Sequence, residues 1–288
     1  MGTLAIQLVN GLSYGMLLFM ITSGLSLIFG ILGVLNLAHG SLYMLGAYFA
    51  LSITMGISDS FFAALVVPPI LIALISLALE FGLLRPTYHL GHLSQVLLTF
   101  GLAYVIHDVV RWIWGGSVQS ISIPPMLNGS IELFGQVFPL YRLIVMLFGL
   151  LVAGLLWLML EKTRWGAIIR AGLSNKEMVS GLGINIGLVF TIVFAVGGVL
   201  AGVAGVVAAP ILGLYPGMEF EVLILSLVIL VVGGLGSISG TLFASLIVGV
   251  VDTFGKVLLP QFSLMILFGL MAVVLLAKPT GLLGRQVH

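Results

Sequence analysis

Long apolar runs decide what this chain can become. They fall at about 4–30, 41–57, 61–84, 95–114, 140–160, 187–209, 222–235, 241–256 and 262–277, separated by polar or Gly- and Pro-rich breaks. A bilayer core takes roughly 20 apolar residues per helix. Runs that are continuous rather than alternating point to helices and away from a transmembrane barrel. Only 7% of the residues are charged, against about 25% in a soluble domain, so lipid has to replace water around most of the chain. The prediction is an all-α polytopic membrane protein, one domain over residues 1–288, with about eight transmembrane helices (seven to nine). The run at 222–235 is short, and Asn36 to Gly40 interrupts the apolar pattern after the first run.

Basic residues set the expected orientation. If spans alternate, the segments 85–94, 161–186 and 278–288 share one side. They hold Arg85, Lys162, Arg164, Arg170, Lys176, Lys278 and Arg285, and leave Arg111, Arg142 and Lys256 opposite. The positive-inside rule places the first set, and with it the carboxyl terminus, in the cytoplasm. No Lys or Arg precedes Arg85, so a cleaved signal peptide is not expected and the side of the amino terminus stays open. There is no cysteine, and the net charge of +1 implies no nucleic-acid partner. The expected breaks are Arg85-Pro86, Pro124-Pro125, Pro210 and Tyr215-Pro216-Gly217.

Two Gly-rich segments stand out. Gly33 to Leu42 aligns with Gly233 to Leu242, each with glycines seven apart and Ser or Thr before the final Leu. Paired Gly-interrupted segments in two halves of a membrane chain point to a transport pathway. The candidate path residues are Asn36, His39, Gly40, Gly233, Gly234, Gly236, Ser237, Ser239 and Gly240; close helix packing through small residues is the alternative. Neither Gly233–Gly240 nor Gly255-Lys256 forms a phosphate-binding loop. Glu80, Asp108 and Asp252 sit near span ends, where interfacial solvation accounts for them. Trp112, Trp114 and Trp157 fit interfacial belts. Asp59, Glu132, Glu219 and Glu221 fall on the expected outer side, within reach of a soluble protein. No nucleophilic triad, paired carboxylate or metal-ligand cluster is visible, so no catalytic residue is expected.

The polar loop at about 161–186 carries Glu161, Lys162, Arg164, Arg170, Lys176 and Glu177. Trp165, Ile168, Ile169 and Gly172 recur at helical spacing. Ser174 followed by Glu177 reads as a capping box opening a helix of about two turns that ends near Gly181 to Gly183. A solvated connector and a helix docked on a soluble partner both fit that pattern.

Three segments together resemble the permease family of bacterial branched-chain amino acid ABC importers (LivH-type). They are Gly33-Val-Leu-Asn-Leu-Ala-His-Gly40 with its continuation to Tyr48, Arg164 to Ala171 with Asn175-Lys-Glu177 and Gly183-Ile-Asn185, and Gly233 to Thr241 with the ending Lys278 to Arg285. The resemblance implies a permease in the bacterial inner membrane. Its expected partners are a related second permease (a heterodimer), two cytoplasmic ABC ATPases and a periplasmic or extracellular substrate-binding protein. The 161–186 loop becomes the coupling element, through Arg164, Gly166, Arg170, Ala171, Ser174, Asn175, Glu177, Gly181, Gly183 and Ile184. ATP and Mg would bind the ATPase chains, with no cofactor on this one. Urea or short amides are the alternative substrates, and a passive small-solute channel is the rival class.

Overall fold

The computed structural model describes residues 2–57, 61–174 and 176–284. Its membrane helices are α1 (Gly2–Leu32), α2 (His39–Ser52), α3 (Phe61–Leu79), α4 (His92–Trp114), α5 (Leu140–Lys162), α8 (Ile186–Leu212), α9 (Met218–Gly233), α10 (Ile238–Leu258) and α11 (Ser263–Ala277). Two short helices, α6 (Arg164–Ser174) and α7 (Lys176–Gly181), occupy the polar loop, and β1 (Ser130–Leu133) with β2 (Gln136–Pro139) forms an antiparallel hairpin between α4 and α5. α2 continues as a π segment, Ile53–Ile57. α3 continues through a π segment, Glu80–Leu84, and a 3-10 turn, Arg85–Thr87. Seven helices among the described residues are long and apolar enough to cross a membrane, and α2 and α9 are the shorter ones.

Helix α1 is the axis of the bundle, with every residue from Gly15 to Ile28 buried. Glycines let its neighbours approach backbone to backbone. A Cβ on Gly249 of α10 would lie 2.5 Å from the Gly15 Cα, and one on Gly24 would lie 2.7 Å from the Gly197 carbonyl oxygen of α8. Without water to expel between helices, such small-residue contacts are what association in lipid rests on. Where helices are joined through hydroxyls, the bonds cross the same seam: Thr241 Oγ1 donates to Ser26 Oγ at 3.0 Å.

The spans sort their termini onto two ends. The hairpin end gathers the start of α1, whose Gly2 abuts Phe134, and the end of α4, where Trp114 Nε1 donates to Ser52 Oγ at 2.8 Å. It also holds the end of α8, where Gln119 and Leu214 exchange backbone hydrogen bonds at 2.8 Å. The opposite end gathers the close of α1, α3 and α5, the α6–α7 loop and the residues after α11. With seven full crossings the described chain starts at one end and finishes at the other. Pro210 does not break α8 as expected. It sits in the last turn, where helix geometry survives a missing N–H, and the helix stops at Gly213 instead.

Candidate functional site

Two helices end on the same tripeptide. α1 closes with Ile31-Leu32-Gly33 and α8 with Ile211-Leu212-Gly213. Both glycines take positive φ, 73° and 75°. Each N–H returns to a carbonyl four residues back, Gly33 to Phe29 at 2.8 Å and Gly213 to Ala209 at 3.0 Å. Only glycine enters that left-handed conformation freely. After each stop the chain folds back into the bundle and starts a short helix inside it.

Those short helices start side by side. The Ser41 hydroxyl of α2 reaches the carbonyl of Ala103, halfway along α4, and His39 Nε2 lies 3.0 Å from the Ile21 carbonyl of α1. Gly40 packs on the backbone carbonyl of Glu219, the second residue of α9. From that junction α2 runs to the hairpin end and α9 to the opposite end. Two helix amino termini, each carrying a partial positive charge, therefore meet inside the bundle. Glu219 is buried there; its carboxylate accepts the Gly217 N–H at 2.8 Å and meets His107 Nδ1 at 2.5 Å. The expectation that Glu219 is an exposed outer acid is thus corrected: the start of α9 carries it inward, where an acid suits a helix amino terminus. Glu132 is exposed, Glu221 accepts the Tyr215 hydroxyl at 2.7 Å, and Asp59 lies outside the described residues.

The stops, the half-helices and their partners form an inverted repeat: α1–α2–α3–α4 corresponds to α8–α9–α10–α11 with opposite direction. The packing obeys the exchange, since α1 lies along α10 as α8 lies along α3. The mate of the Gly33–Gly40 break is therefore 213–217, not Gly233–Gly240. The glycine-rich match was to a segment of a different kind. Gly233 to Gly240 is a tight turn at the loop end, with Gly234 and Gly236 at positive φ and Ser237 accepting the Gly240 N–H at 3.1 Å to open α10. The residues after α11 close over it, with Leu282 and Leu283 donating to the carbonyls of Val232 and Gly233. Asn36, His39 and Gly40 thus lie inside the bundle. Gly233, Gly234, Gly236, Ser237, the exposed Ser239 and Gly240 lie at its end, so the structure does not bring the two sets together.

At that same end the re-entrant segment is sealed. Leu37 N–H donates to Thr99 Oγ1 at 3.2 Å, and the Asn36 carboxamide oxygen accepts the Ala38 N–H at 3.1 Å. The space left beside Asn36, Tyr88, Thr99 and Phe194 is about 10 Å³, room for one water at most. Beneath it Glu80 is fully buried and accepts Tyr88 OH at 3.0 Å and Thr191 Oγ1 at 2.9 Å, tying the end of α3 to the start of α8. Interfacial solvation does not describe this carboxylate. The π segment turns it into the bundle, and no periodicity in the sequence signals that turn. Asp252 is also buried, whereas Asp108 is exposed. Trp114 packs inward on Tyr48 while Trp112 is 87% exposed.

The polar loop folds as two helices with a fixed base. Thr163 Oγ1 accepts the Gly166 N–H at 3.0 Å, and a Cβ on Gly166 would collide with the Met159 and Leu160 carbonyls. Arg170 pairs with Glu161 at 3.4 Å, and Ile169 and Val179 are buried. Arg164, Ala171, Gly181 and Gly183 are exposed, and Ile184 is half-buried. Met178 and Leu182 are 67% and 75% exposed, an apolar pair that sequence reasoning passed over among the charges. Asn175 and the side chains of the capping box, Ser174 and Glu177, lie outside the described residues.

An inverted repeat with paired half-helices, in a bundle of this hydrophobicity, defines a membrane transport protein. Residues 7–275 match the family described as the permease component of the branched-chain amino acid transport system, and the chain belongs to that family. It is 31% identical to the high-affinity branched-chain amino acid transport permease BraD of Pseudomonas aeruginosa, over 97% of this chain and 95% of that one. It is 29% identical to the corresponding LivH of Escherichia coli K12, with the same coverage. A fructose import permease, FrcC of Rhizobium meliloti, is 29% identical over only 54% of this chain and 44% of that protein.

Proposed function

We propose that this chain is the membrane permease of an ATP-driven importer of branched-chain or related hydrophobic amino acids. The observation that carries the reading is the match along nearly the whole chain to permeases named for that transport, where the sugar permease aligns over about half. The loop end, with Arg85, Lys162, Arg164, Arg170 and Lys278, is assigned to the cytoplasm by the positive-inside rule. The carboxyl terminus is then cytoplasmic and the amino terminus external. α6 and α7 offer the ATPase a helix pair whose exposed Met178 and Leu182 suit an apolar cleft. The ATPases, a related second permease and a substrate-binding protein belong to the proposal. ATP and Mg act on the ATPase chains.

The mechanism follows from the joints. α7 leads through Asn185, whose side chain accepts the Leu188 N–H at 3.1 Å, directly into α8. A push on the loop therefore displaces α8 as a rod. α8 carries Thr191, and through Glu80 and Tyr88 the displacement reaches the sealed mouth beside Asn36 and Phe194. Packed elements with two arrangements convert a small push into opening. The test is uptake of labelled leucine into vesicles holding either this chain alone or the chain with its ATPase, second permease and binding protein. Uptake only in the complete assembly with ATP is expected. Uptake by the lone chain would make it a passive channel, and transport of urea but not leucine would change the substrate class.

A further inference from the structure

A cleft of about 240 Å³ opens at the hairpin end between α1, α5, α8 and α10. This is below the ~300–1,000 Å³ of drug-sized sites and suits one small molecule. Its polar wall holds three charges. Arg142 of α5 donates to Asn10 Oδ1 at 2.5 Å, and Lys256 of α10 pairs with Asp252 one turn earlier at 2.6 Å. Gln7, Ser13, Tyr14 and Thr253 extend the polar side, and Leu17, Ile211, Leu212 and Val257 form an apolar floor, where Ile211-Leu212 is the very stop that ends α8 before the half-helix junction. A charged wall against an apolar floor, directly outside a helix break, is not how a lipid-facing surface is built.

We infer that this cleft binds the zwitterionic head of a free apolar α-amino acid on the external face of the permease, a step that rests on the importer reading above. Asp252 is only 3% exposed, so it has to keep a cation beside it. Its present partner is replaceable: Lys256 is 58% exposed on a flexible stem and leans over the Tyr14 ring at 5.4 Å. An incoming ammonium takes the Asp252 carboxylate, and Lys256 swings to join Arg142 on the incoming carboxylate. The site carries one surplus positive charge before and after, so a zwitterion exchanges into it without leaving any buried charge unpaired. A lone ammonium would release Lys256 with no anion to meet. A lone carboxylate would leave Asp252 with the partner it already has and would use half the site. The side chain of the amino acid rests on Leu17, Ile211 and Val257, which selects apolar over polar residues.

The test uses the full chain in lipid nanodiscs and equilibrium binding of radiolabelled L-leucine, with leucinamide, isocaproate and urea as competitors. Saturable leucine binding is expected, with leucinamide and isocaproate each at least tenfold weaker and urea without effect. D252N and R142Q are expected to weaken leucine at least tenfold. V257W, which fills the cleft and leaves the charges in place, abolishes binding, while L258W just outside the lining leaves it intact with an unchanged unfolding midpoint. No saturable leucine binding by the wild type, or equal competition by isocaproate or leucinamide, would overturn the site. Leucine uptake by the complete assembly, measured in parallel, separates the two readings. Uptake with an empty cleft refutes the site alone, and a filled cleft without ATP-driven uptake refutes the importer.

Discussion

The seam between α1 and α10 gives the sharpest quantitative expectation. Gly249 faces Gly15 so closely that an added Cβ would lie 2.5 Å from the Gly15 Cα and amide nitrogen and 2.6 Å from the Gly11 carbonyl oxygen. Non-bonded carbons rest at about 3.5–4.0 Å. G249A therefore forces the two backbones apart by roughly 1 Å, because no flexible side chain is there to move aside. Overpacking of this kind costs about 1–3 kcal/mol. A contact made by backbone along the central helix reaches at least the middle of that range, about 2 kcal/mol, a roughly 30-fold rise in the unfolded fraction. The measurement is reversible unfolding in mixed micelles as the SDS fraction is raised, with G269A as the control. A Cβ on Gly269 meets nothing within 4 Å, and alanine gains up to about 1 kcal/mol of helix propensity there. Backbone contact along this seam is refuted if G249A unfolds at the wild-type SDS fraction, or if G269A falls as far.

Three further outcomes follow from the same contacts. E80A removes the shared acceptor of Tyr88 and Thr191 and should lower stability by about 1–3 kcal/mol, with E80Q, which keeps an oxygen, recovering most of it in the same unfolding assay. G40A drives a methyl group into the Glu219 carbonyl where the half-helices meet; it should cut ATP-driven uptake more than tenfold while surface expression persists, and wild-type uptake would remove that junction from the moving parts. G181W occupies open space on the α7 surface, and E177A removes a carboxylate from the same helix; both should leave folding intact and abolish ATPase stimulation by the permease, and unchanged transport in both would sink the docking assignment.

Much of the architecture was legible because lipid imposes it. Every observed membrane helix overlaps one of the nine apolar runs, and two short helices fold within the polar loop, the second ending at Gly181, while the capping box itself lies outside the described residues. What the sequence could not disclose was depth. Gly33 and Gly233 look alike on paper, yet one stops a helix that the chain then re-enters, and the other turns a corner at the surface. The difference lies in their surroundings: the chain after Gly33 opens α2 beside Glu219, while Gly233 and Gly234 are covered by Gly281, Leu282 and Leu283. The true mate of Gly33 is Gly213, and the shared Ile-Leu-Gly was available as a signal, hidden because an inverted repeat preserves helix ends better than composition. Glu80, Glu219 and Asp252 each stand near the edge of an apolar run, where the sequence alone predicts solvation. Glu80 is held by a π turn and by Thr191, 111 residues away, and Glu219 by His107, 112 residues away. No local pattern encodes such partners.

The two cavities, taken together, argue for an order of events. The cleft at the hairpin end has about 240 Å³ and charged walls; the space at the loop end has about 10 Å³ and is walled by Tyr88 and Phe194. Between them stands the junction of two helix amino termini, closed backbone to backbone at Gly40 and Glu219. A pore that is always open has no reason to be wide at one end and sealed at the other. A pump driven from the loop end does, because its rest position has to hold one side shut until α8 moves. The seal is built from the groups that touch α8 and the helices beside it, Thr191 through Glu80 to Tyr88, so on the proposed function the element that would receive the push also holds the gate. Weakening that link without unfolding the bundle should therefore raise basal leakage of leucine before it lowers ATP-driven uptake. T191V, which keeps the shape and removes one donor to Glu80, is the variant to measure. Leakage at the wild-type level with uptake already impaired would detach the gate from α8.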